Sequence, residues 1–280
     1  MPANRAPWLL SPFVLALLAW AGACAALTAA PAPREGKLTA EEVARAEKAA
    51  KQKLEDLKGG YGLLQPIKDE ALGEVFPRHA FFSVLFRQYP VARVVPEGLK
   101  ASNVFAVGAD GKVQVITDPR GLEAFFRAHL PAGAGDARLK QDARAWLRLA
   151  QQLRQDGFFR FGLVEDSLKV TPGKGGKAVS GTAAVMAGGS GTLGATLSFN
   201  EAGKLTGVRA IDKVREGPRP ICQATKLLDR DPVVRRMAEQ DLLLMGRAAK
   251  PYLDEQRARA PAELRRAIDR LWRRICAEDR

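Results

Sequence analysis

The sequence predicts an α+β fold, and three observations lead to it. Segments with a 3.6-residue apolar repeat, bounded by caps and stops, alternate with segments of period-two pattern. Between residues 158 and 214 the strand-like segments follow one another with only turn-sized gaps, which forces antiparallel pairing because a parallel pair needs a long crossover. After Pro218 and Pro220 the strand pattern stops and only helical periodicity remains. The chain therefore divides into an N-terminal export segment (1–30), an exposed helical arm (31–61), an α+β region with antiparallel strands (62–217) and an all-α unit (218–280).

Residues 6–30 contain no charged side chain, and the only charge before them is Arg5. A basic start, an apolar run from Trp8 to Trp20 and small residues at Ala21-Gly22-Ala23 match a cleavable secretory signal. Two alternatives stay open. Residues 7–30 are long enough to remain as a membrane anchor, and Ala21-Gly22-Ala23-Cys24 resembles a bacterial lipoprotein signal, which would make Cys24 the acylated first residue. All three place the protein outside the cytoplasm, periplasmic or extracellular, touching a membrane only through this segment.

The 44 Lys and Arg against 31 Asp and Glu leave a formal charge of +13, which invites an anionic partner. The arginines are spread over every segment without interleaved aromatics on one face, so nucleic acid is not the expected partner. An unidentified protein or an anionic envelope component fits better. Of three cysteines, removal or acylation of Cys24 leaves Cys222 and Cys276, either as a bridge across the C-terminal unit or as two buried thiols.

Each element has local signals. LTAEEVARAEKAAKQKLEDLKGG, from Leu38, carries a capping box at Thr39 and Glu42 and a stop at Gly59-Gly60, with a thin apolar stripe that suits a surface helix or arm. Residues 79–95, rich in aromatic and branched side chains but broken by Pro90, read as a strand pair or edge. Two alternating runs flank Asp110-Gly111, a strong hairpin signal. Asp118 and Pro119 open a helix whose face is Leu122, Phe125, Phe126 and Leu130. Residues 139–157 place Leu139, Ala143, Trp146, Leu147, Ala150 and Leu153 on one face of a long helix.

Strand candidates then begin at Phe158, Lys177, Thr192 and Lys204. A long helix followed by an antiparallel meander resembles the cystatin-like arrangement over about residues 136–215, which implies a sheet curled around the helix and a pocket that Trp146, Phe159 and Phe161 would line.

In the C-terminal unit, DPVVRRMAEQDLLLMG places Asp231, Pro232, Val234, Arg235, Ala238, Leu242 and Gly246 as in the first helix of a HEAT repeat. AAKPYL supplies the second helix with Pro251, so residues 227–256 resemble one HEAT-like unit. The resemblance implies partner binding, although such repeats normally stack in threes or more. The last helix buries Leu264, Ile268, Leu271, Trp272 and Ile275 and turns Arg265, Arg266, Arg270, Arg273 and Arg274 outward, a candidate face for an acidic partner.

Gly189, Gly191 and Gly194 satisfy G-x-G-x-x-G, with Asp212 at the distance of a ribose-binding acid. The following segment, ATLSFNEAG, alternates and turns, so it has no helix to receive a pyrophosphate, and the glycines are expected at a mobile hairpin tip. No cofactor or metal is expected. His79 and His129 are the only histidines and stand far apart in sequence, without H-x-x-x-H, C-x-x-C or G-x-S-x-G spacing anywhere. The acidic pairs Glu41-Glu42 and Asp254-Glu255 are expected on solvated faces. The expected role is thus non-catalytic: envelope interaction or assembly, with a ligand- or acidic-polymer-binding module as the alternative. An enzyme whose site shows no motif is the second alternative.

Overall fold

The computed structural model describes residues 36–133, 135–173 and 175–278. The predicted export segment, Cys24 included, lies outside the described residues.

The first part of the chain runs α1 (Ala40–Asp56), β1 (Leu63–Pro66), α2 (Glu70–Val75), β2 (His79–Leu85), β3 (Ser102–Gly108), β4 (Val113–Ile116) and α3 (Pro119–His129). The four strands form one antiparallel sheet in sequence order. Asp110-Gly111 makes the β3–β4 turn, with Gly111 at φ +78° as the hairpin requires. Residues 79–95 are not a strand pair. Only 79–85 are extended, and they form an interior strand because β1 covers the edge they would have occupied.

The two faces of this sheet sort by the period-two rule. Phe82 and Val84 of β2 and Phe105 and Val107 of β3 face Ala46, Ala50 and Leu54 of α1. Their neighbours Phe81, Val104 and Ala106 face the opposite way, into a core shared with α2 and α3. β3 is buried on both faces for this reason. The capping box at Thr39 and Glu42 is present, the two residues bonding each other's backbone at 2.8 and 3.2 Å. The helix it opens is a covering layer of the first sheet rather than an exposed arm, since small Ala46 and Ala50 let a thin stripe pack closely.

The second part begins with α4 (Asp136–Leu153) and continues through β5 (Arg160–Leu163), β6 (Lys169–Gly173), β7 (Gly176–Ala187), β8 (Gly189–Ser190), β9 (Thr192–Asn200), β10 (Leu205–Asp212) and β11 (Arg215–Glu216). The main sheet is antiparallel in the order β10-β9-β7-β5, and β6 shares with β5 the same side of the long β7. Leu193, Ala195, Leu197 and Phe199 alternate inward from β9, with Val179 and Ala183 from β7. α4 lies on this surface through Leu139, Ala143, Trp146 and Leu147. Gly181 sets the closeness of that contact: a Cβ there would stand 2.8 Å from Leu168 and 3.0 Å from Leu147.

The last part is helical: α5 (Pro232–Met245), α6 (Lys250–Arg259) and α7 (Ala262–Glu278), with 3-10 turns at Ala224–Leu228 and Gly246–Ala249. Asp231 caps α5 by accepting from the Val233 amide at 2.7 Å. Leu264, Ile268, Leu271 and Ile275 of α7 are buried against Leu242, Met245 and Leu253. The protein is thus α+β: an α/β segment with an antiparallel sheet, a long helix on a second antiparallel sheet, and C-terminal helices. Cys222 and Cys276 are free, half-buried thiols, so the bridge is not formed.

The helices do not hang from a linker. Phe158, just before β5, is 2% exposed and packs into the helical core, 6.3 Å from the Tyr252 ring. Arg219, 9% exposed, sits over the Phe158 and Phe159 rings at 5.1 and 4.8 Å and pairs with Asp156. The described residues form one compact body. Among them no helix is long and apolar enough to cross a membrane.

Candidate functional site

An apolar cleft of about 350 Å3 opens between α4 and strands β9 and β10. Helical spacing brings Trp146, Ala150 and Leu153 to one wall. The opposite wall is Leu193, Ala210 and Ile211, set by the register that pairs Leu193 with Asp212 and Ala195 with Ala210. Trp146 is 1% exposed and held edge-on by Phe126, with ring centroids 5.0 Å apart. Ile211 presents a branched side chain that is 38% exposed.

Two ion pairs stand in the lining, Lys100 with Asp118 at 3.7 Å and Arg154 with Asp212 at 3.1 Å. The Gly121 amide holds the Asp118 carboxyl below the usual range; burial opposes this and Lys100 assists it. With its charges matched, the cleft suits a ligand with an uncharged apolar body. The sequence located Trp146 correctly but not its company. Phe159 and Phe161 pack on each other at 5.5 Å, and Phe161 lines a different, polar cavity of about 410 Å3.

Asp212 is therefore the partner of Arg154 rather than a ribose-binding acid. Thr192 starts a strand bonded on both sides, Gly194 facing Thr182 of β7 and Ile211 of β10. The G-x-G-x-x-G match opens no helix, and two of its glycines, Gly189 and Gly191, answer a packing need. A Cβ on Gly189 would lie 2.2 Å from the Arg215 carbonyl oxygen, and one on Gly191, at φ +101°, 2.0 Å from that of Lys213. The expected mobile tip is instead tied down, with β8 paired to β11.

The histidines, far apart in sequence, meet in space. The His79 and His129 rings are 4.7 Å apart, because β2 and the end of α3 share the Phe125 cluster. Burial, and secondarily His129, pushes the His79 pKa down to about 4, against the pull of Asp110. At neutral pH His79 is an uncharged member of an aromatic cluster. Among the described residues no group of three His, Cys, Asp or Glu side chains could hold a metal ion. An Asp-x-Asp spacing occurs at Asp229 and Asp231, where both serve the α5 start: Asp229 pairs with Lys226 at 2.9 Å and Asp231 is the cap.

The acidic pairs part company. Glu42 belongs to the capping box and Asp254 pairs with Lys250, but Glu255 is drawn off the solvated face into an ion pair with Arg87 of the first sheet. Asp142, which no motif marked, is 1% exposed on α4 with Arg138 Nε at 2.9 Å. Burial raises its pKa to about 6 despite Arg138, and its Oδ2 has no hydrogen-bond partner.

On the helical unit, Arg265, Arg266, Arg270, Arg273 and Arg274 are all exposed on α7. The face is mixed in charge: Arg274 reaches Glu239 at 3.3 Å, and Asp269 binds Arg257 at 2.7 Å. α5 carries exposed apolar side chains, Val233, Met237 and Leu244, at 51, 55 and 77%.

Compared with known proteins, the chain matches no family model, no curated protein and no solved structure, which leaves these contacts as the ground for a functional reading.

Proposed function

We propose that the protein is an exported, non-catalytic binding module that takes a small, uncharged apolar ligand between α4 and the β9–β10 edge. The observation that carries this reading is the cleft itself: seven apolar side chains, Trp146 among them, around about 350 Å3, with every charged lining residue paired. Desolvating an apolar ligand there is favourable by roughly 25 cal/mol per Å2 removed from water, and no buried charge opposes it.

Titration of the protein with an apolar fluorescent dye, in a Trp272→Phe background so that Trp146 reports within residues 36–278, tests the proposal. Saturable binding that perturbs Trp146 emission is expected, weakened about tenfold or more by Ile211→Asp, which places a charge in the wall. Binding indifferent to Ile211→Asp and to a cleft-filling Ala150→Phe would remove the reading.

A second reading has its own observation. Val233, Met237 and Leu244 lie along the outward side of α5, an apolar stripe that a HEAT-like unit would use to meet a partner. It supports a role in envelope interaction or assembly. Met237→Lys should abolish such an association without changing dye binding in the cleft.

A further inference from the structure

Where α6 meets the first sheet and the end of α4, a second cavity of about 420 Å3 has a different chemistry. Its lining includes Arg87, Arg160, Arg259 and the single carboxylate Glu255. Glu255 is shared: it pairs with Arg87, and its other oxygen lies 3.7 Å from Arg259. Arg160 gives one N–H to the Phe159 carbonyl at 2.7 Å and keeps the rest of its guanidinium. Asp156, which also attracts Arg160, is held in an ion pair with Arg219.

Three arginines against one carboxylate leave two positive charges uncompensated around one hollow. Arg87 adds a geometric sign of incompleteness, since its Nε–H is buried without a hydrogen-bond partner. A buried donor left unpaired is costly, and an oxyanion in the cavity would relieve it. Desolvation lowers the Arg160 pKa below the ordinary arginine value while Asp156 opposes, although the residue keeps an exposed surface. Gln152, at the end of α4, and Gln155, just beyond it and donating to the Phe159 carbonyl at 3.3 Å, also line the space.

We infer that this junction is a binding site for a phosphoryl oxyanion, held by Arg87, Arg160 and Arg259. The charge count favours this chemistry. A phosphate group carries close to two negative charges at neutral pH and offers three acceptor oxygens, which suits several guanidinium groups converging from different elements. A single carboxylate would leave one charge unmatched. The site is separate from the apolar cleft and stands or falls without it.

Isothermal titration of the whole chain with inorganic phosphate, at low ionic strength and neutral pH, is the test. Saturable one-to-one binding is expected, weakened about tenfold in Arg160→Gln and in Arg259→Gln, whose side chains are exposed enough to be replaced without disturbing the core. Glu255→Gln should tighten binding several-fold, because it removes the competing carboxylate; a folding defect cannot mimic a gain. Glycerol phosphate distinguishes the sources: equal binding identifies a phosphate ester as the group recognised, and binding of inorganic phosphate alone identifies the free ion. No saturable heat, arginine variants that bind like the parent chain, or succinate bound as well as phosphate would each overturn the assignment.

Discussion

His79 and His129 stand with ring centroids 4.7 Å apart, edge to face, although fifty residues separate them. His79 is the inner ring, packed edge-on to Phe125 at 5.3 Å, and its folded pKa of about 4 lies below the ordinary 6.5. Between these values the unfolded chain binds the proton and the folded chain does not. Stability contributed by neutral His79 is therefore complete above pH 6.5 and is lost as pH falls towards 4. Because the ring is only partly buried, the loss is about 1–2 kcal/mol after allowance for solvent screening. Urea midpoints measured from pH 7.5 down to about 4.5 should fall in the parent chain and fall less in His79→Phe.

Asp142 acts in the opposite sense. Its folded pKa, raised from 3.8 to about 6, means that the folded chain holds the proton longer, so its contribution weakens as pH rises through that window. Asp142→Asn cannot ionise. The stability difference between variant and parent should move in favour of the variant by about 2 kcal/mol between pH 3.5 and pH 7, in the same urea series. A difference that stays flat with pH would mean that the carboxylate finds compensation at its open Oδ2.

The packing of α1 is tested at Leu54, 5% exposed against the face formed by Phe82, Phe86 and Phe105. Leu54→Ala should lower unfolding free energy by about 2–4 kcal/mol, the range for a buried leucine leaving a partly collapsed cavity. A detachable arm would give almost none. Thr39→Ala, which removes the cap, should cost about 1 kcal/mol.

The glycine run separates a packing role from a ligand role. Gly191→Ala forces a Cβ to within 2.0 Å of a carbonyl oxygen at positive φ, so a fall in melting temperature equivalent to about 2 kcal/mol or more is expected. Gly194→Ala meets nothing closer than 3.7 Å and should melt with the parent chain. Equal sensitivity at both positions would contradict the packing account.

Arg219 and Asp156 join the second sheet to the helices. Asp156 also accepts the Phe158 and Phe159 amides at 2.8 and 3.2 Å, so it holds the chain at the point where Phe158 enters the helical core. Arg219→Met should cost about 3–5 kcal/mol by leaving a largely buried carboxylate unpaired. Amide exchange should then rise in α5 to α7 ahead of α4.

Local chemistry alone made much of the fold legible. The capping box at Thr39 and Glu42, the Asp110-Gly111 turn, the Asp118-Pro119 start and the face of α4 all appear where their signals place them, because each depends on residues within one or two turns. The strand beginning at Thr192 was legible through alternation. β1 and β6 were not: Pro66 and Pro172 break their patterns, and each is tolerated only because it lies at a sheet edge where a missing N–H costs nothing. The six-residue α2, with Gly73 inside it, is too short for periodicity to show.

What the sequence by itself determined was the α+β class, the order of its longer helices and the antiparallel character of the second sheet, since caps, turns and apolar period act over a few residues. Tertiary structure alone decided which distant side chains share a space: His79 with His129, Trp146 with Ile211, and Arg87 with Glu255 across 168 positions. Spacing along a chain carries no information about such pairs, because their separation is set by how α4 lies on the sheet and how Phe158 anchors the helices. The candidate sites lie in those packed junctions.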